Sequence, residues 1–423
     1  MSQSHDQPEV RNRWRWYRSR KLKTKISLLC GALITALLLG LCTEVILSRE
    51  NPTSTRHTAS KGESTVLSAT GISLPRPTVQ LTTKPTLILT STPRLTAKQS
   101  STPPVSNSPG VSNTPALSST IYYGVHVSLQ DLAHVTAFEA DARKPVSIVM
   151  WYQHWGLTDG YQYFQPGWMD IVRSHGSIPL VTWDPWIPPQ GPNQPNESVY
   201  ALQNIINGNF DSYITKWAQD SKAWGHPYFL RFAHEMNGNW NPWSEMVNGN
   251  KPGQFVLAWR HVHDIFVAQG VTNVSWVWCP NIDYSGSEPL KGLYPGDAYV
   301  DWVGMDGYNW GTVENHTWQN FQPLFQQTYQ DILAITSKPL MIAETASTEQ
   351  AGNKANWITD AYTQLPHYFP QIRAIVWFDQ DKETDWSIES SPAAQNAFAS
   401  AIQSPIYTSN NYANLNISPI PPL

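Results

Sequence analysis

The chain has 423 residues and a net charge of −4, the sum of two unlike parts: residues 1–118 carry 15 Lys and Arg against 5 Asp and Glu, whereas residues 119–423 carry 13 against 27. An acidic larger part excludes nucleic acid as its partner, because a phosphate backbone demands Lys and Arg. Three cysteines, Cys30, Cys42 and Cys279, supply no disulfide framework, so the folded part must be held by its core.

Residues 1–25 form a basic segment, with eight Arg and Lys between Arg11 and Lys25. Residues 26–47 then run apolar. A run of about 20 residues spans a bilayer, and a positive flank stays cytoplasmic. The reading is an uncleaved, single-pass signal-anchor in the cell membrane that places the rest of the chain outside the cytoplasm. The alternative is secretion after cleavage, although the apolar core of a signal peptide is usually about 7–15 residues. Residues 48–118 are rich in Ser, Thr and Pro and cannot bury enough apolar area to fold, so they read as a spacer. At the other end, residues 405–423 read as a loose C-terminal tail.

Between residues 119 and 404 short apolar runs alternate with longer amphipathic ones. The expected strands are 121–127, 145–152, 178–183, 227–233, 274–279, 300–306, 339–343 and 372–378. The expected helices are 129–143, 198–223, 251–269, 318–336, 351–365 and 391–403. Near-continuous apolar strands signal a parallel sheet covered on both faces. Eight such units predict an α/β fold, a (β/α)8 TIM barrel, with a doubly wound open sheet as the alternative. Eighteen of the 20 Trp fall in this acidic part. Flat indole rings suit the weakly apolar faces of pyranose sugars, and they also fill cores.

Functional side chains of such a barrel sit at the carboxyl ends of its strands. Those ends carry Trp151 to Trp155, Trp183 to Trp186, Arg231 to Trp243, Asp306 to Trp310, Ala343 to Thr345 and Trp377 to Asp381. Aromatics and carboxylates converge there. Glu235 closes the fourth strand and Glu344 the seventh, and burying two carboxylates at one mouth is costly unless they have a task. Two carboxyl groups about 5 Å apart are what hydrolysis of a glycoside with retained configuration requires. The competing reading makes both of them ion-pair partners of Arg231.

The run Arg231, His234, Glu235, Asn237, Gly238 and Trp240, with Ala343 and Glu344 downstream, resembles glycoside hydrolase family 26 over roughly residues 120–404. The resemblance implies a retaining β-glycosidase acting on a plant-type polysaccharide, with Glu235 as general acid/base and Glu344 as nucleophile. It implies His234 as a sugar contact beside the acid, Trp240 as an aromatic wall and Trp377 as the floor of the central subsite. Tyr308 is implied as the tyrosine that hydrogen-bonds the nucleophile. His154 and Asp301 match more loosely. His154, His234 and Asn237 are candidates for reading the C2 hydroxyl of the sugar.

The expected activity is endo-β-1,4-mannanase. The alternatives are a mixed-linkage β-1,3-1,4-glucanase and, from another class, a catalytically inactive glycan-binding module. No cofactor and no metal is expected. His261 and His263 diverge on a helix, and Asp379, Asp381, Glu383 and Asp385 lack the glycine and spacing of a calcium loop. The expected partners are the polysaccharide and, through residues 26–47, the membrane, with the chain acting as a monomer.

Overall fold

The computed structural model describes residues 120–128, 131–157, 160–187 and 196–423, all within the unit Ser106–Leu423. The basic segment, the apolar run 26–47 and the spacer 48–118 lie outside the described residues. Among the described residues no helix is long and apolar enough to cross a membrane.

Each of the eight apolar runs forms a strand: β1 (Ile121–His126), β2 (Ile148–His154), β3 (Ile178–Asp184), β4 (Tyr228–Phe232), β5 (Val274–Trp278), β6 (Trp302–Val303, continued by Asp306–Asn309), β7 (Leu340–Ser347) and β8 (Ile372–Phe378). Neighbouring strands pair in parallel from β1 round to β8, and β8 pairs β1, so the sheet closes on itself. Side-chain alternation then sorts each strand into two faces. Tyr122, Met150, Leu180, Phe229 and Val277 pack together inside the barrel, while Tyr123, Val149, Val181, Leu230 and Trp278 join the larger cluster under the helices.

The covering helices are α1 (Leu132–Ala142), α2 (Pro166–His175), α3 (Asp211–Trp224), α4 (Gln254–Ala268), α5 (Leu290–Leu293), α6 (Phe321–Leu333), α7 (Lys354–Tyr368) and α8 (Pro392–Ala401), with a further short helical turn at Leu202–Ile206 ahead of α3. Several are started by side chains that satisfy free backbone N–H groups. Asp131 accepts from Ala133 at 2.9 Å, Asn353 from Asn356 at 2.8 Å, and Ser391 from Ala394 at 3.1 Å ahead of Pro392. The sequence reading has no helix at α2, whose apolar face is only Trp168, Met169 and Val172. Proline at its first turn and Gly176 just past its end (φ 97°) supply the boundary signals that the thin apolar stripe does not.

The C-terminal tail is not loose. Residues 407–408 pair with β1, and the chain then runs beneath the amino ends of the strands. Ile420, 1% exposed, joins the inner cluster. Its N–H donates to Ser275 Oγ at 2.8 Å, and its carbonyl accepts from Trp302 Nε1 at 2.8 Å. Tyr122 donates to the Pro421 carbonyl at 3.1 Å, and the rings of Tyr122 and Tyr412 lie 5.2 Å apart. The inner layer of a small barrel must be sealed at both mouths, and here the tail closes the lower one.

Strand register places the upper-mouth residues in pairs. His154 lies opposite Asp184, Thr182 opposite Arg231, and Asp306 opposite Glu344. The β7–β8 ladder slips register between Ile342 and Thr345, an irregularity that brackets Glu344 and re-aims its side chain.

Candidate active site

The upper mouth is organised around Arg231, which shares the inner face of β4 with Phe229 and is wholly buried. A buried guanidinium is tolerable only when paired and hydrogen-bonded. Its Nε donates to Thr182 Oγ1 at 2.8 Å, its Nη1 pairs with Asp306 Oδ2 at 2.7 Å, and its Nη2 pairs with Glu344 Oε1. The Cys279 thiol donates to the other Asp306 oxygen at 3.2 Å. His234, Asp306 and Glu344 also bring one ligand-type atom each within 4.8 Å of one another. The guanidinium already spans two of that trio, so they serve an ion-pair network.

Glu344 is held by more than Arg231. Tyr152 donates to its Oε1 and Tyr308 to its Oε2. Burial alone pushes its pKa up, but the Arg231 and His234 charges and the two phenols outweigh burial and bring it down to about 2. This carboxylate is ionised at any physiological pH.

Glu235 is set up differently. The chain leaves β4 through two left-handed residues, Ala233 (φ 46°) and Glu235 (φ 52°), a region costly for residues with a Cβ. Backbone bonds from Ala233 N–H to Trp183 O (3.1 Å) and from Glu235 N–H to Cys279 O (2.7 Å) hold the kink. The Glu235 carboxylate accepts from Trp240 Nε1 at 2.7 Å and stays partly exposed. Burial, helped by the charge of Glu344, raises its pKa despite opposition from His234 and Trp240. The two carboxyl groups are thus driven apart in acidity while they influence each other.

His234 Nδ1 lies 3.0 Å from Asp184 Oδ1. Burial disfavours its charge, but Asp184 prevails and raises its pKa to about 9, so the ring is cationic at neutral pH. Its carbonyl accepts from the buried Trp243 Nε1 at 2.6 Å, which pins the turn before the acid. His154 Nδ1 accepts from Trp186 Nε1 at 2.7 Å, which leaves the ring proton on Nε2. Burial lowers its pKa, and it remains a neutral donor.

Three expected site residues stand elsewhere. Asn237 is fully buried between loops: its Nδ2 donates to Asn281 O and its Oδ1 accepts from Asn281 N–H, both at 2.9 Å. With its amide consumed by this exchange, it ties the loop after β4 to the loop after β5 and reads no hydroxyl. Trp377 points outward from β8. Its Nε1 donates to Trp386 O at 3.1 Å and its ring packs on Trp357, Tyr362 and Phe398 of the helical layer. Asp301 sits before β6, at the amino end, where it accepts from Trp276 N–H at 2.9 Å. The mouth takes its aromatics from other positions. Tyr284 lies 5.6 Å from Trp240, and Trp310, Trp386 and Phe378 surround Tyr308 at 6.2, 5.2 and 5.5 Å. Tyr152 follows from the β2 alternation that puts Met150, Tyr152 and His154 on one face. Phe378 follows from the same parity on β8.

A closed (β/α)8 barrel with an anchored carboxylate and an acidic neighbour in an aromatic mouth has the build of a glycoside hydrolase. The profile of glycosyl hydrolase family 26 matches residues 157–387, and the chain belongs to that family. Endoglucanase H of Acetivibrio thermocellus is 42% identical over 275 residues, 63% of this chain and 29% of that protein. A mannan endo-1,4-β-mannosidase of Bacillus subtilis is 26% identical over 205 residues, 47% of this chain and 49% of the relative. The chain therefore spans less than half of each. Among solved structures, GH26C of Muricauda sp. MAR_2010_75 superposes with a TM-score of 0.54 at 17% identity, covering 73% of this chain and 91% of that one, a likeness of fold.

Proposed function

We propose that the chain is an endo-acting, retaining β-glycanase in which Glu344 is the nucleophile and Glu235 the general acid/base. The observation that carries this reading is the unequal anchoring of the pair. Glu344 takes a guanidinium and two phenols, whereas Glu235 takes a single indole N–H. In the first step Glu344 attacks the anomeric carbon, Glu235 gives its proton to the glycosidic oxygen, and the C–O bond breaks to leave a glycosyl ester on Glu344. Loss of the Glu344 charge then lets Glu235 act as a base. It takes a proton from water, the hydroxide attacks the same carbon, and the ester bond breaks with the configuration restored. Arg231, Tyr152 and Tyr308 keep Glu344 ionised and oriented, and they receive it again as the leaving carboxylate.

For the polymer, we place a β-glucan first. The fourth-strand phrase read alone leads to mannan, but 42% identity to a protein named an endoglucanase, against 26% to a mannosidase, favours glucose in the main chain. Mannan is the second reading, supported by that weaker relative. The test is initial-rate release of reducing ends from barley mixed-linkage β-glucan, galactomannan and β-1,3-xylan. Faster hydrolysis of galactomannan reverses the order, and hydrolysis of none removes the enzyme reading.

The apolar run 26–47 and its basic flank support a barrel tethered at the outer face of a membrane. Protease added to intact cells removes the barrel if this holds, and leaves it if the barrel lies inside.

A further inference from the structure

A cavity of about 540 Å³ opens between α6 and α7, on the flank of the barrel and apart from the catalytic mouth. Its lining is unusual for a gap between helices. Trp318 lies flat against Gly352, where a Cβ would fall 2.3 Å from the indole, so the bare backbone is what lets the ring seat there. The Trp318 Nε1 donates to Asn320 Oδ1 at 3.2 Å, and the Tyr368 hydroxyl donates to Asp360 Oδ1 at 3.0 Å. Both rings are therefore held in place before any ligand arrives. Trp357, 3% exposed, forms part of the floor and is fixed by donation to Gln319 O at 2.9 Å. Around the rim stand exposed Asn353 and Asn356.

This set of groups selects a ligand class. Oriented aromatic rings offer flat apolar faces, carboxamides supply donors and acceptors together, and Asp360 adds an acceptor. No Lys or Arg lines the cavity, so nothing there compensates a phosphate, sulfate or carboxylate. The volume lies within the range of small-ligand sites. A neutral, hydroxyl-rich chain with weakly apolar ring faces fits all of these. The same loop, from Asn309 to Asn320, has Trp310 in the wall of the catalytic mouth at its inner end and Trp318 in this cavity at its outer end.

We infer that the α6–α7 flank is a second, non-catalytic glycan-binding site, which holds a segment of the neutral polysaccharide that the mouth cleaves. The occupant's identity rests on the proposed function, whereas its chemical class rests on the cavity.

The test is affinity gel electrophoresis of the full chain in gels containing barley β-glucan or galactomannan, beside turnover of a short soluble oligosaccharide. Trp318→Ala removes the platform. Asn356→Arg, at an exposed helical position, fills the cavity without touching the core. The expected result is at least about a fivefold loss of apparent affinity for the polymer in both variants, with oligosaccharide turnover unchanged. Variants that migrate as the native chain does in every gel, while hydrolysis proceeds, overturn the flank site. Retardation that depends on Trp318 and Asn356 in a chain that hydrolyses nothing upholds the flank site and removes the catalytic reading.

Discussion

Arg231 and Glu344, 113 residues apart in the chain, meet through a guanidinium–carboxylate pair closed to solvent, with side-chain exposures of 0% and 4%. The pair reaches across the barrel from β4 to β7, and Asp306 occupies the other terminal nitrogen of the arginine. Arg231→Lys keeps the charge but loses the fork that spans both carboxylates. The acid limb of the kcat profile is expected to move to higher pH, because a single ammonium cannot reach both carboxylates and Glu344 is held less closely by the cation that ionises it. For the same reason kcat is expected to fall at least about tenfold. A profile superposable on the native one contradicts the role assigned to the pair.

Glu344→Ala is expected to cost about 10⁴-fold or more in kcat. Azide fits the space left by the carboxylate and attacks the anomeric carbon from the same side, so rescue gives a glycosyl azide of inverted configuration. Product NMR distinguishes this from hydrolysis. Rescue with retained configuration points to Glu235 as the nucleophile.

Trp240 donates to the ionised form of Glu235 and so opposes its raised pKa. Trp240→Phe keeps the ring and removes the donor. The alkaline limb of the profile is expected to shift upward, with kcat/KM reduced about 10- to 100-fold by loss of a bond to a charged group. Both limbs belong to the coupled pair and not to single residues. A downward shift of the alkaline limb contradicts the assignment.

His234 is protonated by its contact with Asp184, which lifts it from an ordinary 6.5 to about 9. A raised base stabilises the fold fully below its unfolded value and loses that contribution as pH climbs through the folded one. Asp184→Asn is therefore expected to be destabilised relative to the native chain by on the order of 3 kcal/mol near pH 6, with the difference shrinking between pH 6.5 and 9. Denaturant titrations across that range measure it. A gap that stays constant with pH excludes the histidine as its source.

The barrel was legible because its strands are buried on both faces and therefore read as apolar runs, and Glu235 and Glu344 stand out as charges at their tips. Parity would have placed Trp377 correctly, since Ala374, Val376 and Phe378 share the inner face and leave residue 377 to the helices. Asn237 was not recoverable in this way, because its partner is the backbone of Asn281, 44 residues on in another loop. The tail was misread for a related reason. It shows no period of two or 3.6, and its fixing contacts are backbone carbonyls meeting Tyr122 and Trp302. Long-range bonds to main-chain atoms leave no mark in residue type.

The seal under the barrel can be measured directly. Ile420→Ala is expected to cost about 2–4 kcal/mol, because the residue is buried in the inner cluster. A lower Tm with unchanged kcat well below the transition is the expected pair of results, since the catalytic mouth lies at the opposite end. Unchanged Tm removes the tail from the core.

The double left-handed kink at Ala233 and Glu235 makes the turn a narrow target for directed evolution. Randomised at 233, the chain is expected to favour glycine and alanine and to reject valine, isoleucine and threonine for their dihedral cost, and aspartate and lysine because the position is buried in the outer apolar cluster. Tolerance there is set by dihedral angle and burial together. The Glu235 carboxyl is aimed by strain at its own backbone and at Ala233, and whoever wishes to re-aim it must redesign that bend.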